Sequence, residues 1–342
     1  MELPHDKRPG AIYTIEFSIK RRKETFYAEA NAEIGLFQFE LESGPAVPEA
    51  ESVPVASPQQ EVENQILCLS ANNVQLKIDL DTGKLVSFSK EGKTLLQEVA
   101  PCFDRPYTGL DALEDWGWYA EYEKIRKQSF VWKKVQILKG DSQVRVEVPF
   151  VQSDLSMPDI HGKLAYVFDG NGDLKLYADF HIDRSYHAIP RVGLECVFSA
   201  GMEKLSYFGR GKNESYSDRI LSAPLGVYQT SVSREHFAFI PPSENGGHED
   251  TRWMQLEDKE GRQVTVRSAQ PFHFDAHHSR IADYQAAGHD HELIKCEETI
   301  VHIDAAHGPI GGDMAWSTAM PEKFQVAGGD YHLEIAIKAE NK

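Results

Sequence analysis

Cationic charge is in short supply: 36 Lys and Arg stand against 53 Asp and Glu, a net charge of −17 over 342 residues. Nucleic acids and anionic membranes repel a chain this acidic, so neither is expected as a partner. Neutral sugars and protein surfaces stay open. Cysteine is scarce too. Cys68, Cys102, Cys196 and Cys296 lie far apart and form no CxxC or zinc-type spacing, which argues against a disulfide framework and reads as free thiols. No apolar run approaches the roughly 18–20 residues of a membrane helix, and residues 1–10 are polar, with no secretory apolar segment. The expectation is a soluble chain, cytoplasmic or periplasmic. Helical periodicity is also rare, confined to 116–128 and 280–287.

What is present builds a core. Apolar residues make up 41% of the chain, with 17 Phe and 13 Tyr, and they alternate with polar ones in short runs. Val74, Leu76, Ile78 and Leu80 alternate before the Asp81-Thr82-Gly83 turn, and Leu85 to Phe88 follow. Val144, Val146 and Val148 form another such strand. Leu164, Tyr166 and Phe168 enter the turn Asp169-Gly170-Asn171-Gly172-Asp173, and Leu174, Leu176, Ala178, Phe180 and Ile182 leave it. Strands follow turns and not helices, so the expected class is all-β, a large antiparallel sandwich.

Three segments are expected. Residues 1–42 carry alternating strands (Tyr13, Ile15, Phe17, Ile19; Phe37, Phe39, Leu41) around the basic turn Lys20-Arg21-Arg22-Lys23. They are too little sheet for a stable domain and read as a two- or three-stranded remnant. Residues 43–64, with Pro45, Pro48, Pro54 and Pro58 among Glu, Ala, Ser and Gln, read as a linker. Residues 65–342 are the large sandwich.

An ordered series of short motifs runs through the second half. Pro190-Arg191-Val192-Gly193-Leu194 precedes Gly209-Arg210-Gly211-Lys212-Asn213-Glu214-Ser215-Tyr216-Ser217-Asp218-Arg219. Pro242-Ser243-Glu244-Asn245-Gly246, Arg252-Trp253, Pro271-Phe272-His273-Phe274 and His289-Asp290-His291-Glu292-Leu293 follow, and Gly311-Gly312-Asp313-Met314-Ala315-Trp316 closes the set. In order and spacing the series resembles the C-terminal sandwich domain, or small chain, of the β-galactosidases of glycoside hydrolase family 2, a galactose-mutarotase-like supersandwich. Two stretches depart from the family pattern. Lys212-Asn213-Glu214-Ser215-Tyr216 stands where the family has Pro-x-Glu-Asn-Tyr, and Arg105-Pro106-Tyr107-Thr108-Gly109 stands where it has R-x-P-T-D-N-D.

The resemblance implies a protein that hydrolyses terminal β-galactosides with retention, and makes residues 1–42 the last strands of a preceding immunoglobulin-like sandwich. Its nucleophile and acid/base lie on an upstream (β/α)8 barrel that this antiparallel pattern does not contain. Asn213-Glu214 is therefore not read as a catalytic pair. Glu214, Asp218, Arg210 and Arg219 read instead as an ion-pair cluster pinning a turn, and Arg191, Gly193, Tyr216, Glu244 and Asn245 as structural motif residues. No catalytic residue is expected in this chain. Trp316, with Asp313 beside it, is the candidate substrate-binding residue, because an indole lifted on a Gly-Gly loop offers its face to a sugar ring. The pairs His277-His278 and His289-x-His291 lack the remaining ligands of a zinc set, so no metal is expected here; the resemblance puts magnesium and sodium in the barrel. The implied partners are the barrel-bearing region or large subunit, a β-galactoside and further copies of the full enzyme. Two other classes stay open on residues alone, a non-catalytic carbohydrate-binding or assembly module and an aldose-1-epimerase-like mutarotase.

Overall fold

The computed structural model describes residues 8, 10–41, 56–109, 111, 119–126, 128–312 and 321–341. β1 (Thr14–Lys20) and β2 (Glu33–Glu40) form an antiparallel ribbon of their own. At β3 (Gln59–Glu63) the chain enters one large antiparallel sheet. It meanders through β4 (Ile66–Ala71), β5 (Val74–Asp79), β6 (Leu85–Lys90) and β7 (Lys93–Cys102). After α1 (Tyr119–Arg126), β8 (Phe130–Trp132) and β9 (Gln136–Lys139) pair in turn along one edge of β10 (Gln143–Gln152). The other edge of β10 continues into β11 (Ile160–Asp169) and β12 (Leu174–Ile182). β13 (Arg191–Phe198), β14 (Lys204–Arg210), β15 (Leu225–Ser231), the short α2 (Val232–Glu235), β16 (His248–Glu257) and β17 (Arg262–His277) come next. Then α3 (Ile281–Ala286), β18 (Thr299–His307) and β19 (Asp330–Asn341) complete the described elements.

Period-2 patterning decides which face is buried. Val144, Val146, Val148 and Phe150 of β10 and Leu174, Leu176, Ala178, Phe180 and Ile182 of β12 are all buried, while their neighbours reach solvent. The turns are chemically specified. Asp169 Oδ1 accepts from the Asn171 and Asp173 amides at 2.9 and 3.0 Å, and Gly172 takes a φ of 82° that a side chain disfavours. The four cysteines are unpaired.

The sheet forks at β17, the longest strand. One edge holds β16; the other holds β19 along Arg262–Arg267 and β18 along His273–His277. At the fork alternation disappears, because Phe272 to Ala276 are buried on both faces. β13 and β18, paired to each other beside it, are covered in the same way.

The expected all-β antiparallel architecture is the one observed, and helix 280–287 appears as α3. Helix 116–128 appears as Tyr119–Arg126, with 112–118 and 127 outside the described residues. One boundary moves. Gln59–Glu63, counted in the linker 43–64, is β3 and pairs with Ile66–Ser70. As an edge strand with Val62 mostly exposed, it needs no apolar stripe, so its composition resembles a linker.

Candidate functional site

The covered strands carry an ionic lattice. Across β13, β18 and β17 the register sets Gly193 opposite Asp304 and Asp304 opposite His273, and Glu195 opposite His302 and His302 opposite Asp275; Arg191 lies opposite His307. Residues two apart share a face, so Arg191, Asp275, Asp304, His273 and His302 converge. Arg191 is fully buried. It bonds Asp275 through Nη2, and its Nε lies 3.2 Å from Asp304 Oδ2. Glu244 Oε1 is 3.6 Å from Arg191 Nη2. His302 bonds Asp275 Oδ1 at 2.7 Å and His273 bonds Asp304 Oδ2 at 2.9 Å, each through Nδ1. Gly193 is required here, since a Cβ would lie 2.2 Å from Asp304 Oδ1.

Charge pairing sets the protonation states. Burial alone would raise the Asp275 carboxyl, but Arg191 and His302 hold it well below the usual carboxylate range. Burial alone would lower His302, yet Asp275 keeps it well above its ordinary value. Burial pushes His307 well down, with His273 and Arg105 acting the same way. Glu244 and Glu249 are pushed up to about 7, chiefly by burial.

Around this centre two loops are tied down. Tyr216 is buried, and its hydroxyl donates to Glu244 Oε1 at 3.3 Å and accepts from the Gly247 amide at 3.2 Å. Asn245 accepts the Phe237 amide at 2.9 Å on Oδ1, and its carbonyl accepts from His277 Nε2 at 2.9 Å. Asp218 sits in the turn Tyr216–Arg219. There its carboxylate accepts three successive amides, Ile310 at 3.1 Å, Gly311 at 2.9 Å and Gly312 at 2.7 Å. Gly312 allows the approach, because a Cβ would meet the Asp218 carbonyl oxygen at 2.7 Å. Buried Arg105 clasps Asp111 with two nitrogens at 3.0 and 2.9 Å and donates to the carbonyls of Gly308 and Pro309, both at 2.8 Å. The roots of the 103–111 and 308–312 segments are thereby fixed to one sheet end. A groove of about 880 Å3 opens beside them, lined by Asp218, Arg219, Leu221, Gly311, Lys323 and Phe324.

The expected turn cluster is real in part. Glu214 bonds Arg219 at 3.0 Å and the Gly246 amide at 3.0 Å, so both its oxygens are engaged. Arg210 turns instead to Asp250 Oδ2 at 2.6 Å, and Asp218 to the backbone amides. Asp313 and Trp316 lie in 313–320, outside the described residues. Sequence reasoning missed Arg105, Asp111, Asp275, Asp304, His302 and Glu249. The signal for three of them, Asp275, His302 and Asp304, was polar residues two apart in strands, at His273/Asp275 and His302/Asp304, a pattern that ordinarily marks a solvent face.

Glu249 gives a pH test. The unfolded chain ionises it above its ordinary 4.5, whereas the folded chain keeps the proton up to about 7. The folded state then binds more protons, so this group's stabilising share is full below 4.5 and lost as pH rises to 7. Glu249→Gln is expected to flatten the fall in stability between pH 5 and 8 by about 1–2 kcal/mol, read from urea melts at both pH values. Equal slopes in both proteins would show that its carboxyl ionises normally.

Fold and network together define a large antiparallel β-sandwich domain with an ionic centre that roots loops at one end of its sheet. The model of the β-galactosidase small chain matches residues 70–337. The chain belongs to that family. A β-galactosidase of Streptococcus thermophilus is 27% identical over 300 residues, 84% of this chain and 28% of that protein. One from Aeromonas hydrophila is 26% identical over 353 residues, 96% of this chain and 32% of its own length. The chain thus spans about three-tenths of the curated relatives it matches. Among solved structures, galactose 1-epimerase from Lactobacillus acidophilus aligns at 8% identity and a TM-score of 0.42, over 97% of this chain and 99% of that one. No helix among the described residues is long and apolar enough to cross a membrane.

Proposed function

We propose that this chain is the C-terminal part, or small subunit, of a β-galactosidase hydrolysing terminal β-D-galactosides with retention, whose two catalytic carboxylates lie in a larger, barrel-bearing partner region. The observation that carries the reading is the small-chain match over 70–337 in a chain three-tenths as long as the β-galactosidases it resembles. In this reading Trp316 gives the shared active site an aromatic platform, with Asp313 beside it. The hold of Asp218 on the amides of 310–312 supports it, because a platform must stand on a fixed root. Hydrolysis of nitrophenyl β-galactoside by the chain alone, and after mixing with the barrel-bearing region, is the test.

The β1–β2 ribbon is proposed as part of the partner surface, the last strands of a sandwich completed by that region. One face docks on the sheet, where the Gln38 amide exchanges hydrogen bonds of 2.9 and 2.7 Å with the backbone of Leu225. The other presents Phe17, Phe37 and Phe39, which are 53%, 53% and 55% exposed, and two strands alone cannot cover such a face. Phe37→Glu is expected to weaken association with the barrel-bearing region at least tenfold by calorimetry and leave the melting of the isolated chain unchanged. Unaltered affinity would place the interface elsewhere.

A further inference from the structure

β11, β12 and β19, which carry none of the residues of the ionic centre, lie side by side and present a chequerboard of imidazoles and carboxylates. The register sets His161 opposite His181, His181 opposite Asp330, and Asp179 opposite His332. Opposed positions on antiparallel strands bring side chains on one face together, and the His161 and His181 rings lie 4.6 Å apart between centroids. Each imidazole is held through Nδ1 by a carboxylate: His161 by Asp159 at 2.7 Å, His181 by Asp330 at 2.7 Å and His332 by Asp179 at 2.6 Å. At His181 this is the arrangement typical of metal-binding histidines, because the Asp330 carboxylate fixes the tautomer and raises the basicity of the free Nε2. One ligand atom from each of Asp159, His161 and His181 lies within 4.8 Å of the other two. His161 and His181 border a groove of about 430 Å3.

We propose that Asp159, His161 and His181 form a surface site for a divalent transition cation of the zinc class. Two imidazoles and one carboxylate favour such an ion over magnesium or calcium, which prefer all-oxygen sets. Donors around tetrahedral zinc stand about 3.3 Å apart, given bonds of about 2.0–2.1 Å. These half-exposed side chains need only close slightly, and water supplies the fourth ligand. At His161 the cation takes the place of the proton between Nδ1 and Asp159, and that proton moves to Nε2, so the ring stays a neutral ligand. Lys163, the cation on the same face, is drawn aside by Glu147 at 3.2 Å. Buried His273, Asp304 and His307 also lie within reach of one another. There the Arg191 guanidinium already neutralises Asp304 and repels a second cation.

The experiment is calorimetric titration of the chain with zinc chloride at pH 7.5, with magnesium chloride as control, on the wild type and on His181→Ala, Asp330→Asn and His332→Ala. The expected result is one saturable zinc equivalent, absent with magnesium and weakened tenfold or more in His181→Ala. Asp330→Asn weakens it less, and His332→Ala hardly at all. Zinc should also raise the melting temperature of the wild type and not of His181→Ala, since the ion clips β11 to β12. These residues are surface-lying, so the variants are expected to fold, which circular dichroism checks. No saturable zinc binding by the wild type, or equal binding by His181→Ala, overturns the proposal.

Discussion

Arg191→Leu is expected to destabilise the chain by about 3–5 kcal/mol, because it leaves two buried carboxylates without their shared cation. Asp275 and Asp304 each retain a histidine, His302 and His273. A histidine can carry the charge only by holding a proton in the interior. Two routes lead out of that state, and both cost free energy. Either the carboxyls protonate, or the lattice opens to water along β13, β17 and β18, the strands at the fork. Against a typical total of 5–15 kcal/mol the loss is large. It corresponds to roughly 10 °C in melting temperature for a domain of this size. Arg191→Lys should fall between, since one ammonium cannot satisfy Asp275, Asp304 and Glu244 in three directions. A control separates charge loss from cavity formation: adding Asp275→Asn to Arg191→Leu removes one orphaned charge and should recover part of the loss. If Arg191→Leu melts within 1 kcal/mol of the wild type by urea titration, the histidines carry the carboxylates alone and the lattice is not centred on Arg191.

Much of the sheet was legible because one face of most strands is apolar. Val144 to Val148 and Leu174 to Ile182 could be placed by period alone, and the Asp169–Asp173 turn by its chemistry. The lattice could not be placed that way. His273/Asp275 and His302/Asp304 follow the same period of two that elsewhere means water on that side. Only the second covering layer, built from Tyr216, the Glu244–Gly247 segment and Arg105, reverses the meaning. The motif series did point there: Arg191, Gly193, Tyr216, Glu244 and Asn245 were singled out as structural, and all five meet at the lattice or in the segment covering it. Its chemical sense was hidden, since Gly193 matters through the carboxylate of Asp304, more than 100 positions later. β3 was missed for the opposite reason, because an edge strand carries no pattern to read. Asp218 was assigned an ionic partner, whereas its partners are amides, which leave no trace in side-chain identity.

On the proposed reading the chain is expected to hydrolyse no nitrophenyl β-galactoside by itself and to give measurable turnover once mixed with the barrel-bearing region. The contrast should be the largest of any test on this protein. Retaining hydrolysis needs two carboxyls about 5–5.5 Å apart, one ionised and one protonated, and rate enhancements by enzymes begin near a millionfold. The obvious candidate inside the chain, Glu214, has both oxygens committed to Arg219 and the Gly246 amide. In the mixed enzyme Trp316→Ala should lower kcat/KM roughly 3- to 30-fold, from stacking worth about 0.5–1.5 kcal/mol together with lost apolar contact. Asp218→Ala should move the same parameter in the same direction, since three amides at 310–312 lose their common acceptor. Combined with Trp316→Ala it should add little, because two changes acting through one platform are not independent. Activity restored on mixing but insensitive to Trp316→Ala would keep the small-chain role and discard the platform. Turnover by the purified chain alone would place catalytic carboxyls within it, and Glu214 would then have to leave Arg219 to act.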